Sequence, residues 1–426
     1  MRLVTLVAMI TLAIAAAFIP RPGSPDPGVA PVSEMPSVSI CPIVEAGERH
    51  TMVSVLSSIS GPGRLSTFSA GEESGALQFT TGSSGSVTIS AADASAIGLA
   101  GGLIELPSEA TASGVTITGG ESLSAESCGD VPSGQSYVMG GSTASGRNFE
   151  LQLLNPYAGD ATVDLTVTTD AGLESDPRFD GVIIPALSSL ALDFSQLIPG
   201  RATISVNIAT TRGSVIAFAR QTNGPESALW RAVEPAQDWW LPAPGGSDVR
   251  ELIIGSPTNT EVSYQVDLYG PDGFIASFET GTISPRGEVR LSLTNLTTAP
   301  LGLRVITDAP VVAGLTIDAA VGLAVTTGSP VDATTWLLPG ASSPIGGSAS
   351  LLVLNTGLET VTVSVRSLRE ASVSRDFEVP AEGVHVVELV QADGYRVESS
   401  GPVVALWTSR GASGAATSIG IPLDDG

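Results

Sequence analysis

The sequence predicts an all-β protein: tandem immunoglobulin-like β-sandwich domains, three repeats behind a diverged N-terminal β domain, all after an N-terminal signal or anchor helix. Three observations carry this expectation. A unit of roughly 95 residues recurs, as internal duplication produces. Apolar and polar residues alternate with period two inside it. Gly and Pro occupy the turns between the alternating runs, where special dihedrals are needed.

The unit is visible in three anchors that return in the same order. Leu151-Gln152-Leu153-Leu154-Asn155-Pro156 aligns with Leu252-Ile253-Ile254-Gly255-Ser256-Pro257 and Leu351-Leu352-Val353-Leu354-Asn355-Thr356, at offsets of 101 and 99 residues. Ile184-Pro185-Ala186, Ser284-Pro285-Arg286 and Val379-Pro380-Ala381 form the second anchor. Gly213-Ser214-Val215, Ala309-Pro310-Val311 and Gly401-Pro402-Val403 form the third. Between the first two anchors lie a polar turn and a strict alternation, as in Val361-Thr362-Val363-Ser364-Val365. Period two puts each Val on one face and each Thr or Ser on the other, the pattern of a half-buried antiparallel strand. About seven such strands in ~95 residues is the rhythm of a sandwich. No stretch keeps a 3.6-residue period over a useful length, so few helices are expected.

Taken in order, residues 1–20 read as a signal peptide or membrane anchor and 21–40 as a Pro-rich tether. Residues 41–134 read as a disulfide-linked N-terminal β domain, and 135–237, 238–333 and 334–426 as the three repeats. Behind Met1-Arg2, the run from Leu3 to Pro20 is apolar apart from Thr5 and Thr11, and Ala15-Ala16-Ala17 offers a small-residue cleavage site. A run of this length also just spans a bilayer, so cleaved and anchored forms both stay open. Either form places the rest outside the cytoplasm. Cys41 and Cys128 are the only cysteines, and a lone pair in an exported chain is most simply a disulfide. Closing so long a loop stabilises by about 4–5 kcal/mol in the chain-entropy model. The stretch between them alternates again, at Thr51 to Leu56, Ser86 to Ser90 and Val115 to Thr118, which makes it a diverged copy of the unit.

Composition excludes some partners. The chain carries 43 acidic against 19 basic residues, a net charge of −24, which keeps it soluble and makes it a poor ligand for nucleic acid or anionic membrane surfaces. Every basic residue is Arg, as GC-rich codon usage favours.

Chemistry-bearing motifs are few. There is no Gly-x-Ser-x-Gly elbow, and a phosphate-binding loop needs a Lys that the chain lacks. His50 reads as a loop residue and His385 as an exposed strand position; two histidines do not make a His-based zinc site. Paired carboxylates of the glycosidase kind meet only in space. No catalytic, cofactor-binding or metal-ligating residue is therefore assigned, and no cofactor is expected. The tryptophans say more. Trp240-Leu241-Pro242 and Trp336-Leu337-Leu338-Pro339 open two of the units, so Trp240 and Trp336 read as plugs at domain junctions, stiffened by the following Pro. Tyr137-Val138-Met139-Gly140-Gly141 takes their place in the first repeat. Trp239 and Trp407 do not recur and are the candidates for ligand contact.

The order of an N-terminal apolar segment, Cys41-Pro42, a second Cys before the first repeat, then the Trp-led and Leu-x-x-x-Asn openings, resembles a known pattern. It is similar to an uncharacterised family of actinobacterial secreted or membrane-anchored proteins, a domain of unknown function. The resemblance covers the chain from about residue 41 to its end, although the first opening lacks its Trp. It implies a cell-envelope setting and supplies no catalytic residues. The expectation is thus a non-enzymatic extracytoplasmic protein, a scaffold or protein-binding module acting through sandwich faces and edges. Its partner would be an envelope protein or polysaccharide, and the membrane if the first segment stays uncleaved. A glycan-binding module is the alternative and asks for exposed aromatics; a glycoside hydrolase asks for converging carboxylates.

Overall fold

The structure is a computed structural model that describes residues 37–57, 60–81, 85–106, 111–119, 122–130, 134–246, 248–294, 296–319, 322–340, 347–369, 374–390, 394–412 and 414–423. The signal or anchor segment lies outside the described residues, as does most of the tether. Residues 36–426 cluster as one unit.

The first domain runs through β1 (Ser37–Glu45), β2 (His50–Ser57), β3 (Gly61–Ser69), β4 (Glu72–Thr81), β5 (Ser86–Ser90), β6 (Gly98–Leu106), β7 (Thr111–Gly119) and β8 (Ser122–Ser127). Its two antiparallel sheets are ordered β1-β6-β3-β4 and β5-β2-β7-β8. β1 begins inside the stretch read as tether, because Ser37-Val38-Ser39-Ile40 already alternates and pairs along β6. The second domain comprises β9 (Gln135–Gly141), β10 (Arg147–Asn155), β11 (Ala161–Thr169), β12 (Gly172–Glu174), β13 (Val182–Ile184), β14 (Ser188–Asp193), β15 (Ile204–Arg212), β16 (Ile216–Asn223) and β17 (Glu226–Arg231). Its sheets are β12-β11-β15-β9 and β14-β10-β16-β17.

The third domain holds β18 (Ala236–Ala243), β19 (Val249–Gly255), β20 (Val262–Gly270), β21 (Gly273–Ile283), β22 (Glu288–Ser292), β23 (Leu301–Asp318) and β24 (Leu323–Thr327). The fourth holds β25 (Ala333–Pro339), β26 (Ser348–Asn355), β27 (Val361–Ser367), β28 (Ser374–Val379), β29 (Val384–Leu389), β30 (Gly394–Gly411), β31 (Gly414–Ile419) and β32 (Ile421–Leu423). In these two the path that elsewhere breaks between β6 and β7, or β15 and β16, continues as one long strand. The first half of β23 pairs with β18 and β20 and its second half with β19 and β24, and β30 does the same. All four domains therefore share one topology, and the segment around the cysteines is a fourth copy of the unit. Helical turns are brief among the described residues, at Ala91–Ala94, Pro177–Phe179 and α1 (Phe194–Leu197).

The sequence anchors have a physical reason. Asn155 and Asn355 are fully buried. The Asn155 amide donates to the carbonyls of Gly159, Ile184 and Pro185, and Asn355 to those of Glu359, Val379 and Pro380. One side chain thus ties the turn after its own strand to the Pro of the second anchor, because buried carbonyls need donors.

Each domain then closes on itself. After its last strand the chain returns to the first, through the bridges Ile40–Gly129, Tyr137–Val233 and Trp240–Ser329, and through β32 along β25. In the first domain the Cys41–Cys128 disulfide holds this closure, with a Cα–Cα distance of 4.7 Å.

The four domains also close as a set. β8 packs against β17 and β31, and β24 packs against the same two strands, so one strand from each domain surrounds a common axis. Each domain lays its first-strand edge on the next. Leu154, Ile216 and Phe218 of the second domain join the core around Ile40 and Cys41. Met139 of the second lies over Gly314 of the third, where a Cβ would sit 2.0 Å from its Cε. Leu354 of the fourth lies against Gly302 of the third. Pro339 of the fourth returns to Gly114 of the first, and Leu337 to Leu56 and Ala112. A head-to-tail interface whose rotation closes generates a ring, and here a single chain supplies all four members.

Candidate functional site

The ring axis is polar along the first domain's strand β8, while Ala324 and Ala415 meet between the third and fourth domains. Ser122 and Ser227 share a hydrogen bond of 2.5 Å across the boundary of the first and second domains. Ser127 meets Ser418 at 3.2 Å and donates to the Ile419 carbonyl at 2.9 Å, joining first and fourth. Among these hydroxyls lies Glu126 of β8, 3 % exposed. Its carboxylate accepts from Ser127 N at 2.7 Å, from Ser418 Oγ at 3.3 Å and from Arg231 N at 3.2 Å. Burial pushes the Glu126 carboxyl up to about 7, against the opposing pull of the Arg231 charge and of these hydrogen bonds.

Directly above opens a cavity of about 420 Å³. The backbone bonds Cys128 N–Ser113 O, Ala232 N–Ala217 O, Gly328 N–Ala313 O and Gly420 N–Ala405 O align the four closing segments. Around the axis, Ser127, Arg231, Thr327 and Ile419 are then equivalent, as are Gly129, Val233, Ser329 and Ile421, and all eight line the cavity. The next tier is Asp130, Glu234, Pro330 and Pro422. The charged groups, Asp130, Arg231 and Glu234, thus all come from the first and second domains, while the third gives hydroxyls and a Pro and the fourth Ile419, Ile421 and Pro422. Arg231 donates to the Cys128 carbonyl at 3.1 Å, and no acid among the described residues forms an ion pair with it. Such a cavity suits a small amphipathic group, apolar on one side and hydrogen-bonding on the other.

The same alignment corrects the reading of the tryptophans. Trp240 is equivalent to Tyr137 and Leu337, so the recurring Trp is Trp239, which matches Trp336. Both make the same bonds: Trp239 Nε1 to the carbonyls of Ala236 and Val311, Trp336 Nε1 to those of Ala333 and Val403. The sequence match slipped by one place because Trp239-Trp240-Leu241-Pro242 offers two tryptophans before its Pro. Trp239 and Trp407, the candidates for ligand contact, are both buried, as are Trp230, Trp240 and Trp336. A buried indole cannot stack on a sugar at the surface, although Trp239 is among the residues lining the axial cavity. Trp240 does sit where two domains meet, against Tyr269 at 5.7 Å and under the Arg304 guanidinium at 4.6 Å, in a cluster with residues of the fourth domain.

His50 is exposed and bonds Glu45 at 3.1 Å, and His385 stacks on Phe377 at 4.7 Å. Among the described residues no group of three or more His, Cys, Asp or Glu is placed to hold a metal, and no helix is long and apolar enough to cross a membrane. Sequence reasoning missed Glu126 and Arg231. Neither stands in a motif, and their meeting depends on ring closure.

Comparison with known proteins adds a family and no activity. The model described as "Family of unknown function (DUF5719)" matches residues 90–322, more than half of the chain. No curated protein matches. The crystal structure of Thermotoga maritima 1070 is 21% identical over 22% of this chain and 94% of its own, with a TM-score of 0.20. A tetra-tandem repeat from the extending region of a large adhesion protein is 12% identical over 90% of this chain and 93% of its own, with a TM-score of 0.12. An α-L-rhamnosidase of Streptomyces avermitilis is 9% identical over 87% of this chain and 57% of its own, at 0.13. Likenesses this slight carry no argument.

Proposed function

The chain belongs to the DUF5719 family of unknown function, which brings no activity with it, and we propose from the geometry a non-enzymatic, extracytoplasmic cell-envelope protein. It acts as a single-chain ring scaffold that takes a segment of a partner protein into its axial cavity. The observation that carries this is the convergence of four equivalent closing segments on one cavity, with charged groups on the side of the first two domains and an uncharged wall, apolar at Val331, Ile419 and Ile421, on the side of the other two. A protein segment presenting an apolar side chain next to a polar one complements both sides. The Cys41–Cys128 disulfide supports the oxidising, extracytoplasmic setting, as does the apolar N-terminal run. The hydrolase alternative would draw on Asp130 and Glu234 in the lining and on the raised Glu126. Glu126, however, is held behind Ser127 and Arg231 with both oxygens accepting hydrogen bonds, so binding is the better reading.

The test is binding of the purified full chain to envelope fractions, with Val331→Asp as the variant. Val331 is half-exposed on the cavity wall, so the change adds a charge to the uncharged side without touching a core. Binding lost on protease treatment of the fraction and weakened about tenfold by Val331→Asp is the expected result. Binding that survives protease and disappears on glycan digestion transfers the role to the glycan-binding alternative. Binding indifferent to Val331→Asp refutes the axial cavity as its site.

A further inference from the structure

The ring is not equally tight at its seams. Where the first domain meets the second, the tip of the β3–β4 hairpin bonds the turn before β14, Gly71 N donating to the Leu187 carbonyl at 3.2 Å. Where the third meets the fourth, the β20–β21 hairpin abuts the equivalent turn. A Cβ on Gly273 would lie 3.0 Å from the Ala381 carbonyl oxygen, and one on Gly383 would lie 3.3 Å from that of Pro271. Between the second and third domains the equivalent pieces, the β11–β12 hairpin and the turn before β22, stand apart around a cleft of about 740 Å³.

The walls of this cleft carry complementary polar groups. Arg286 takes the left-handed turn position, φ 55°, that Leu187 and Glu382 hold elsewhere in the ring. It is half-buried, its backbone N–H goes to the Thr258 carbonyl, and among the described residues its guanidinium has no ion-pair partner. It shares this with Arg231 at the axis, whereas Arg64, Arg147, Arg220, Arg290 and Arg304 are all paired. Opposite stands Asp170, one of whose oxygens accepts from Ala202 N and Thr203 N, leaving the other oxygen for a donor. Thr168, Thr203 and Asn259 supply hydroxyl and amide groups along the cleft.

We propose that this cleft binds a polyhydroxylated ligand bearing one carboxylate, a saccharide of the uronic-acid type. The carboxylate meets the planar fork of Arg286, which suits bidentate recognition. Ring hydroxyls donate to Asp170 and exchange hydrogen bonds with Thr168, Thr203 and Asn259. A second anionic group beside the first is disfavoured by Asp170 in the same lining, while Glu288 is already paired with Arg290. The proposal is independent of the axial cavity, which lies on the closing segments rather than at this seam.

The experiment is a titration of the full chain with glucuronate and with glucose, followed by calorimetry or ligand-observed NMR, on the native protein and on Arg286→Gln, Asp170→Asn and Arg231→Gln. Saturable binding of glucuronate, weakened about tenfold or more by Arg286→Gln and unchanged by Arg231→Gln, is expected. Asp170→Asn should weaken glucuronate and glucose alike. Glucose binding as well as glucuronate overturns the role of Arg286. Loss in Arg231→Gln instead of Arg286→Gln moves the ligand to the axis and overturns the cleft. Absence of binding to either sugar overturns the proposal outright.

Discussion

Glu126→Gln is the perturbation that tests the ring most directly. The Glu126 carboxyl moves from an ordinary value of 4.5 to about 7 on folding. Each tenfold in a proton equilibrium is about 1.4 kcal/mol, so the charged form costs the fold roughly 3 kcal/mol relative to the neutral one. The direction follows from the raised value. Folding favours the protonated carboxyl, so this stabilisation is complete below pH 4.5, declines as pH rises, and is gone above about 7. Gln is uncharged at every pH and keeps one acceptor for Ser127 N. Its amide nitrogen, a donor, cannot accept, so whichever way the amide is turned one of the bonds now made by Ser127 N and Arg231 N is lost, a cost of about 1 kcal/mol.

The variant should therefore be slightly less stable than the native protein near pH 5 and more stable by ~2 kcal/mol near pH 8, the two curves crossing between. Chemical denaturation of both proteins at constant ionic strength, across this range, measures it. The other acids titrate equally in the two chains, so the difference between them isolates Glu126. A stability difference that does not move with pH would refute the reasoning, because it would mean that the carboxyl is hydrated and the axis open to water.

Three further outcomes follow from the same packing. Asn355→Ala leaves the carbonyls of Glu359, Val379 and Pro380 without their donor and should cost about 3 kcal/mol of stability in denaturant titrations. Gly314→Val would place a Cβ 2.0 Å from Met139 Cε and 2.6 Å from the Thr326 carbonyl oxygen. It should lower stability by roughly 2–3 kcal/mol and expose the seam between second and third domains to limited proteolysis. Acrylamide should quench the five tryptophans poorly in the native chain and fully in denaturant; strong native quenching would contradict their burial.

The single domain was legible in the sequence because its determinants are local. Alternating Val and Thr specify β11 and β27 through period two, and the Asn of the first anchor sits with the Pro of the second because one amide serves both turns. Even the fourth copy could be read, since Val53 and Val115 keep the alternation through a Gly- and Ser-rich stretch. The slip between Trp239 and Trp240 shows where such reading stops. Two adjacent aromatics fit the motif equally well, and only the bonds to Ala236 and Val311 decide which one is the core residue.

Ring closure leaves no local trace, because it depends on pairs such as Ser127 with Ser418 and Gly114 with Pro339, far apart in the chain. β8 reads Ser122-Leu123-Ser124-Ala125-Glu126-Ser127, which by pattern is a solvated edge, yet every one of its residues is buried. What decides their burial is the partner strand, not the strand itself. Small side chains let four backbones approach a common axis: hydroxyls that satisfy one another where the first domain meets the second and fourth, and Ala324 with Ala415 where the third meets the fourth. A larger apolar side chain would hold the strands apart, and a fully charged one would draw water between them. Glu126 sits between these limits, buried but able to shed its charge near neutrality. The polar axis thus works with the apolar seams, such as Leu337 on Leu56 and Ala112, in fixing which surfaces meet.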